Sequence, residues 1–178
     1  HCIIINAGLG DDIIYAGVGN DTVSGGAGHD YIEGQAGNDV IDGGSGNNEI
    51  YGNAGDDKIT AGDGNDIIHG QDGKDIISAG DGNNEIYGDG DNDEITSGIG
   101  HDTISAGDGD DTVNSGRGSD TITAGDGADT VKGGGGDDFI GGGLGNDVLY
   151  GEGDNDTING DEGDDTIYGG DGIDTLSG

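Results

Sequence analysis

Gly25-Gly26-Ala27-Gly28-His29-Asp30-Tyr31-Ile32-Glu33 is one period of a nine-residue pattern that runs through almost the whole chain. Stepping by nine from Gly10 meets Gly19, Gly28, Gly37, Gly46 and so on to Gly172, and only Asp91 and Asp154 break the series. Two residues after each of these stands an acid or its amide. The positions are Asp12, Asp21, Asp30, Asp39, Asn48, Asp57, Asp66, Asp75, Asn84, Asp93, Asp102, Asp111, Asp120, Asp129, Asp138, Asp147, Asp156, Asp165 and Asp174. Two further on is an aliphatic residue without exception, from Ile14, Val23 and Ile32 to Leu176. A glycine, an acid and an aliphatic at fixed offsets describe a turn, a candidate metal ligand and a strand.

The architecture follows from the period. Nine suits neither a 3.6-residue helix nor collagen, which needs glycine at every third position and proline besides. After each loop come three residues of strand type, such as Thr121-Ile122-Thr123, whose middle side chain faces one way and whose neighbours face the other. So short a strand cannot bury its apolar residue alone and must stack on copies of itself. Two nonapeptides close one 18-residue coil with a strand on each side, and strands of like parity stack in parallel at ~4.8 Å. The expectation is an all-β, parallel β-roll (a β-solenoid) of about ten coils, on the order of 50 Å long, with two parallel sheets sharing an aliphatic seam. The segment Gly46-Asn47-Asn48-Glu49-Ile50-Tyr51-Gly52 recurs as Gly82-Asn83-Asn84-Glu85-Ile86-Tyr87-Gly88, two coils later, which keeps each face in phase. Residues 1–8 read as an N-terminal cap or junction, because Ile3 stands where the acid belongs. Residues 9–178 read as one continuous repeat domain, expected to be a piece of a longer protein.

Composition sets a condition on that fold. Glycine supplies 46 of 178 residues, there is no proline or tryptophan, and the formal net charge is -35. Low hydrophobicity with high net charge is the signature of a disordered chain, so without a cation disorder is the expected state. The acidity also predicts repulsion from nucleic acid and anionic membrane surfaces. No apolar run approaches membrane-spanning length, so membrane insertion is not expected. Cys2 is the only cysteine, which leaves no intramolecular disulfide.

The pattern Gly-Gly-x-Gly-x-Asp-x-aliphatic-x resembles the repeat of RTX (repeats-in-toxin) proteins, clearest at Gly25–Glu33 and, with Asn for Asp, at Gly43–Tyr51. The resemblance covers everything but the first eight residues. It implies a parallel β-roll with calcium held between successive turns on each edge. It also implies export from a Gram-negative-type bacterium, and hence an extracellular or cell-surface location. The chemistry agrees, since calcium takes six to eight hard oxygens from carboxylates and carbonyls in irregular geometry. Loops one coil apart let a cation bridge Asp12 to Asp30, Asp21 to Asp39 and onward, which allows roughly 17 sites. Two positive charges at each would come close to cancelling the formal charge.

Departures mark individual loops. Asn48 and Asn84 keep an oxygen but lose the charge, on one edge of the roll, and the four sites they touch are expected to be weak or empty. At Asp91 and Asp154 the glycine comes one residue early, at Gly90 and Gly153, which predicts a reshaped loop. Gln35, Asn53, Gln71, Asp89, Glu152 and Asp161 replace the second glycine, where left-handed backbone is required.

Catalysis finds no support. His1, His29, His69 and His101 read as exposed residues in unrelated slots, and no His-Glu-x-x-His or Ser/His/Asp arrangement occurs. The expected function is a non-enzymatic, calcium-dependent structural or spacer segment of a secreted or surface protein of adhesin, matrix or surface-layer type. It would fold on calcium outside the cell. The alternative is the non-catalytic repeat module of an exported hydrolase, toxin or epimerase. Partners beyond calcium are other domains of the same chain or end-to-end copies. Exposed threonines (Thr103, Thr121, Thr157 and Thr175 on one sheet, Thr22, Thr112, Thr130 and Thr166 on the other) raise an ice-binding reading. Ile13, Glu49, Lys58 and Phe139 at equivalent positions weaken it. Tyr15, Tyr51, Tyr87, Tyr150 and Tyr168 either stack on sugars or pack across strands.

Overall fold

The computed structural model describes every residue from His1 to Gly178 and contains strands and turns but no helix. Twenty strands alternate strictly between two ten-stranded sheets, so each sheet holds every second strand. The first sheet runs from Ile4–Leu9 to Thr166–Asp171 and the second from Ile13–Val18 to Thr175–Ser177. Every pairing is parallel and joins residues 18 apart, as in Ile14↔Ile32 of the second sheet and Val23↔Ile41 of the first. The expected 18-residue coil and two-sheet roll are therefore the observed architecture.

The register places one β-branched or leucine side chain per strand in the seam between the sheets. Ile32, Ile50, Ile59, Ile68, Ile86, Ile122, Val131, Ile140 and Leu149 are wholly buried there, and the same slot is filled from Ile14 to Ile158. Side chains on either side of each core residue face solvent, giving the alternation exposed–buried–exposed of Lys58-Ile59-Thr60. Because each rung touches only the rungs above and below, core stability is a sum of near-identical nearest-neighbour terms.

The substituted loops still turn through left-handed backbone. Gln35, Asn53, Gln71, Asp89, Glu152 and Asp161 all hold φ between 68° and 78°, in the left-handed region a glycine would adopt freely. Asp91 and Asp154 do the same, at 69° and 75°, while Gly90 and Gly153 do not take positive φ. The loops are locally reshaped there, as expected: the inter-coil bond that runs from Gly82 N–H to the Ile99 carbonyl and from Gly100 N–H to the Arg117 carbonyl has no counterpart at Gly73–Gly90, Asp91–Asp108, Gly136–Gly153 or Asp154–Asp171. The acid itself adopts the left-handed conformation, because the stacked loops on either side impose it, at roughly 1–2 kcal/mol per residue.

Two local features lie outside the regular scheme. Four strands of the first sheet, Lys58–Thr60, Ile76–Ser78, Glu94–Thr96 and Thr112–Asn114, stop after three residues. They are followed by Ala61, Ala79, Ser97 and Ser115 in place of the first glycine. Ala106 and Ala124 fill that slot on the second sheet without shortening their strands, so the added Cβ alone does not account for it. At the start, Ile3 occupies an acid's place yet its amide still donates to Asp21 Oδ1 at 2.7 Å.

Candidate metal centres

The roll brings the repeated acids into two columns. Asp12, Asp30, Asn48, Asp66, Asn84, Asp102, Asp120, Asp138, Asp156 and Asp174 descend one edge, and Asp21, Asp39, Asp57, Asp75, Asp93, Asp111, Asp129, Asp147 and Asp165 the other. Consecutive rungs are joined by one repeated hydrogen bond, in which the backbone amide of each donates to Oδ1 of the rung 18 residues later. It measures 2.9 Å from Asp12 to Asp30, 2.7 Å from Asp39 to Asp57 and 3.0 Å from Asp156 to Asp174. Oδ1 is thus committed to holding the coils together.

Oδ2 is not. In sixteen of the seventeen aspartates, all except the half-exposed last rung Asp174, Oδ2 is buried without any hydrogen-bond partner. A buried polar atom without a partner costs roughly 1–3 kcal/mol, and more when it is charged. The surroundings deepen the deficit. A Cβ built on Gly34 would lie 2.5 Å from Asp39 Oδ2 and 2.8 Å from the Gly52 carbonyl oxygen, so two electron-rich oxygens border one small space. Gly25, Gly52, Gly70 and Gly142 border the same combination of an Oδ2 and a carbonyl from the next coil. No three His, Cys, Asp or Glu side chains gather to hold a metal, so a cation in these loops must take backbone carbonyls beside the carboxylates.

The two asparagines act as an internal control. Asn48 Nδ2 donates to the carbonyls of Gly46 and Ala61, at 3.1 and 3.4 Å. Asn84 Nδ2 donates to those of Gly80 and Gly82, at 3.3 and 3.2 Å. Where the carboxylate becomes an amide, an N–H turns to the loop carbonyls and the deficit disappears. The aspartate loops therefore present carbonyls and Oδ2 in want of positive charge, and an oxygen-rich set of that kind fits a hard divalent cation such as calcium.

The carboxylates carry the electrostatic mark of this arrangement. Burial pushes Asp57, Asp93 and Asp138 up to about 7, against the lowering effect of the amide each accepts from, with neighbouring aspartates adding to the rise. Asp75 and Asp129 rise to about 6 for the same leading reason. Burial likewise raises Asp39, Asp66, Asp111, Asp120, Asp147 and Asp156. The four Lys and Arg residues relieve none of it, since none lies within ion-pairing distance of a carboxylate; the one such contact brings His69 Nδ1 to 3.4 Å from Asp89 Oδ2.

With this geometry in view, the comparison with known families is direct. The family described as the RTX calcium-binding nonapeptide repeat matches in overlapping segments from 4–32 and 15–50 through to 116–149 and 141–176. The chain belongs to the RTX calcium-binding nonapeptide-repeat family. A search of curated proteins finds no match. RTX β-roll repeats are a structural calcium-binding fold, generally non-catalytic and typical of secreted bacterial proteins.

Two features of this RTX roll are invisible in the bare motif. The Ser97 and Ser115 hydroxyls donate to the Ser115 and Gly133 carbonyls of the next coil. On the outer rim, His29 and His101 occupy one and the same repeat slot rather than unrelated ones. Each takes part in a second ladder in which a side chain accepts from the backbone amide of the next coil. Asn47 donates to His29 Nδ1 at 2.8 Å, Asn65 to Asn47 Oδ1 at 2.9 Å and Ser119 to His101 Nδ1 at 2.9 Å. The slot, at five in the motif, was legible, but its role depends on contacts through space.

Proposed function

We propose that the aspartate columns hold calcium between successive coils. Oδ2 and loop carbonyls supply the oxygens on both edges, and roughly 17 positions are available. The observation that carries this reading is the set of sixteen buried Oδ2 atoms without a hydrogen-bond donor. Filling them with divalent charge removes an electrostatic penalty that a roll with so slender a seam cannot otherwise bear. The central stretch of the first edge, where Asn48, Asn84, Ser97 and Ser115 already satisfy loop carbonyls, is assigned the weakest sites. Residues 1–8 serve as the cap or junction from which the roll proceeds.

Binding that is coupled to folding gives the segment its role. The chain stays unfolded where calcium is scarce, crosses the cell envelope in that state, and folds outside into a stiff spacer of a secreted or surface protein. Support comes from the acidic composition, the repeat family and a fold whose length scales with repeat number. The test is far-UV circular dichroism during a calcium titration, with magnesium as the control. A cooperative change from coil to β-structure with calcium alone is the expected result. β-Structure that persists in excess chelator at neutral pH would overturn the reading.

A further inference from the structure

The outer face beside the first edge carries a groove of about 360 Å³, within the ~300–1,000 Å³ range of small-molecule sites. One wall is the rim ladder, with His29, Asn47 and Asn65 at successive coils. The other is the outward column of the second sheet, with Tyr31, Glu49 and Ile67.

Hydrogen bonding within the protein orients both walls. His29 Nδ1 and the Oδ1 atoms of Asn47 and Asn65 each accept a backbone amide from the next coil, at 2.8, 2.9 and 2.8 Å. Their remaining polar groups, His29 Nε2–H and the two Nδ2 amides, are donors without partners in the protein. Opposite them, the Tyr51 hydroxyl donates to Glu49 Oε1 at 2.7 Å and holds that carboxylate in place, while Oε2 has no partner. Glu49 raises the Tyr51 hydroxyl to about 12, so it remains a donor at any ordinary pH. Tyr31 is the one phenolic ring of the groove. It meets Tyr15 and Tyr51 tilted, at 58° and 46°, whereas Tyr51, His69 and Tyr87 close one another's faces at 4.8 and 4.5 Å with interplanar angles of 4° and 5°. The Tyr31 face is therefore free of a parallel neighbour.

We infer that this groove binds a linear, uncharged polysaccharide, with a sugar ring lying against Tyr31 and its hydroxyls shared between the Glu49 carboxylate and the His29, Asn47 and Asn65 donors. Hydroxyl groups both donate and accept, which matches a wall of donors facing a wall with a fixed acceptor. The donors recur at the ~4.8 Å spacing of the parallel sheet, close to the length of one sugar in an extended chain. An anionic glycan is disfavoured by the net charge of -35 and by Glu33, Glu49 and Glu85 on this face. Asp30 and Asn48 line the floor of the groove, and at Asn48 an amide stands where the flanking rungs Asp30 and Asp66 carry a carboxylate.

The test is titration calorimetry of the calcium-loaded chain with cellohexaose, mannohexaose, chitohexaose and, as the anionic probe, hexagalacturonate. At least one uncharged hexasaccharide is expected to bind saturably, and hexagalacturonate is not. Tyr31→Ala and Glu49→Ala should each weaken binding on the order of tenfold, Glu49→Gln less, and Thr112→Ala on the opposite sheet not at all. Circular dichroism in calcium verifies that each variant is folded. Failure of all three uncharged probes, undiminished affinity in the folded Tyr31 and Glu49 variants, or equal binding of hexagalacturonate would each overturn the inference.

Discussion

Asn48 Nδ2 donates to the Gly46 carbonyl oxygen at 3.1 Å, so at this rung an N–H occupies the side of the loop where its neighbours Asp30 and Asp66 present a bare, buried Oδ2. One atom's difference separates a self-satisfied loop from one that needs a cation. The contrast makes the metal reading open to mutation in both directions.

Restoring the acid at Asn48 and Asn84 should create calcium sites. The Asn48→Asp/Asn84→Asp variant is expected to bind more calcium than the parent and to melt higher in saturating calcium. The gain should be about 1–3 kcal/mol per completed site, the size of linkage at ligand well above its dissociation constant. In chelator it should fold less readily than the parent. Calorimetric stoichiometry and thermal melts with and without calcium check both arms.

The reverse change separates the two oxygens of one carboxylate. In Asp57→Asn the amide oxygen still accepts from the Asp39 backbone amide, now at 2.7 Å, while Nδ2 turns to the loop carbonyls as in Asn48. Calcium stoichiometry should fall with little loss of structure. Asp57→Ala also strips the Asp39 amide of its acceptor, a further cost of about 1–3 kcal/mol for a buried donor. Melting of the two variants side by side in saturating calcium should rank Ala clearly below Asn.

Acid should help the calcium-free chain and harm the calcium-bound one. Burial raises Asp57, Asp93 and Asp138 to about 7 in the folded state, above the ~4 of an unfolded aspartate. The folded state therefore binds more protons between these values, and stability falls as pH rises through that window. In chelator, lowering the pH from about 7.5 to about 4.5 should increase β-structure by circular dichroism. In calcium the same change protonates the oxygens that hold the cation and should release it. A rise in the apo roll's stability with pH would contradict the assignment of burial as the cause.

The seam should respond to volume loss as other cores do. Ile86 is fully buried in mid-roll, and Ile86→Ala is expected to cost about 2–5 kcal/mol, against about 0.5–1.5 for Ile86→Val. Because coils couple only to neighbours, Ile86→Ala should also broaden the calcium-loaded melt by letting the two ends unfold separately.

Most of the fold is legible in the chain because a repeat without insertions admits few solutions. The spacing of Ile14, Ile32 and Ile50 sets the coil at 18 residues, and period-two alternation about each sends one side chain inward. The two acid columns follow, since any residue type at a constant offset must stack on itself. Spacing alone, however, cannot say which atoms meet. That Oδ1 ties the coils and Oδ2 is left over, that Asn48 and Asn84 answer their own carbonyls, and that Ser97 and Ser115 donate to carbonyls of the next coil are matters of side-chain torsion and a few ångström. The left-handed backbone of Asp91 and Asp154 is a further case, because neighbouring coils override the local preference of the chain. Sequence by itself determined the period, the parity and the core of this protein. Only the stacked tertiary structure decided which oxygens are satisfied, because hydrogen bonding between coils is settled by atoms that lie 18 residues apart.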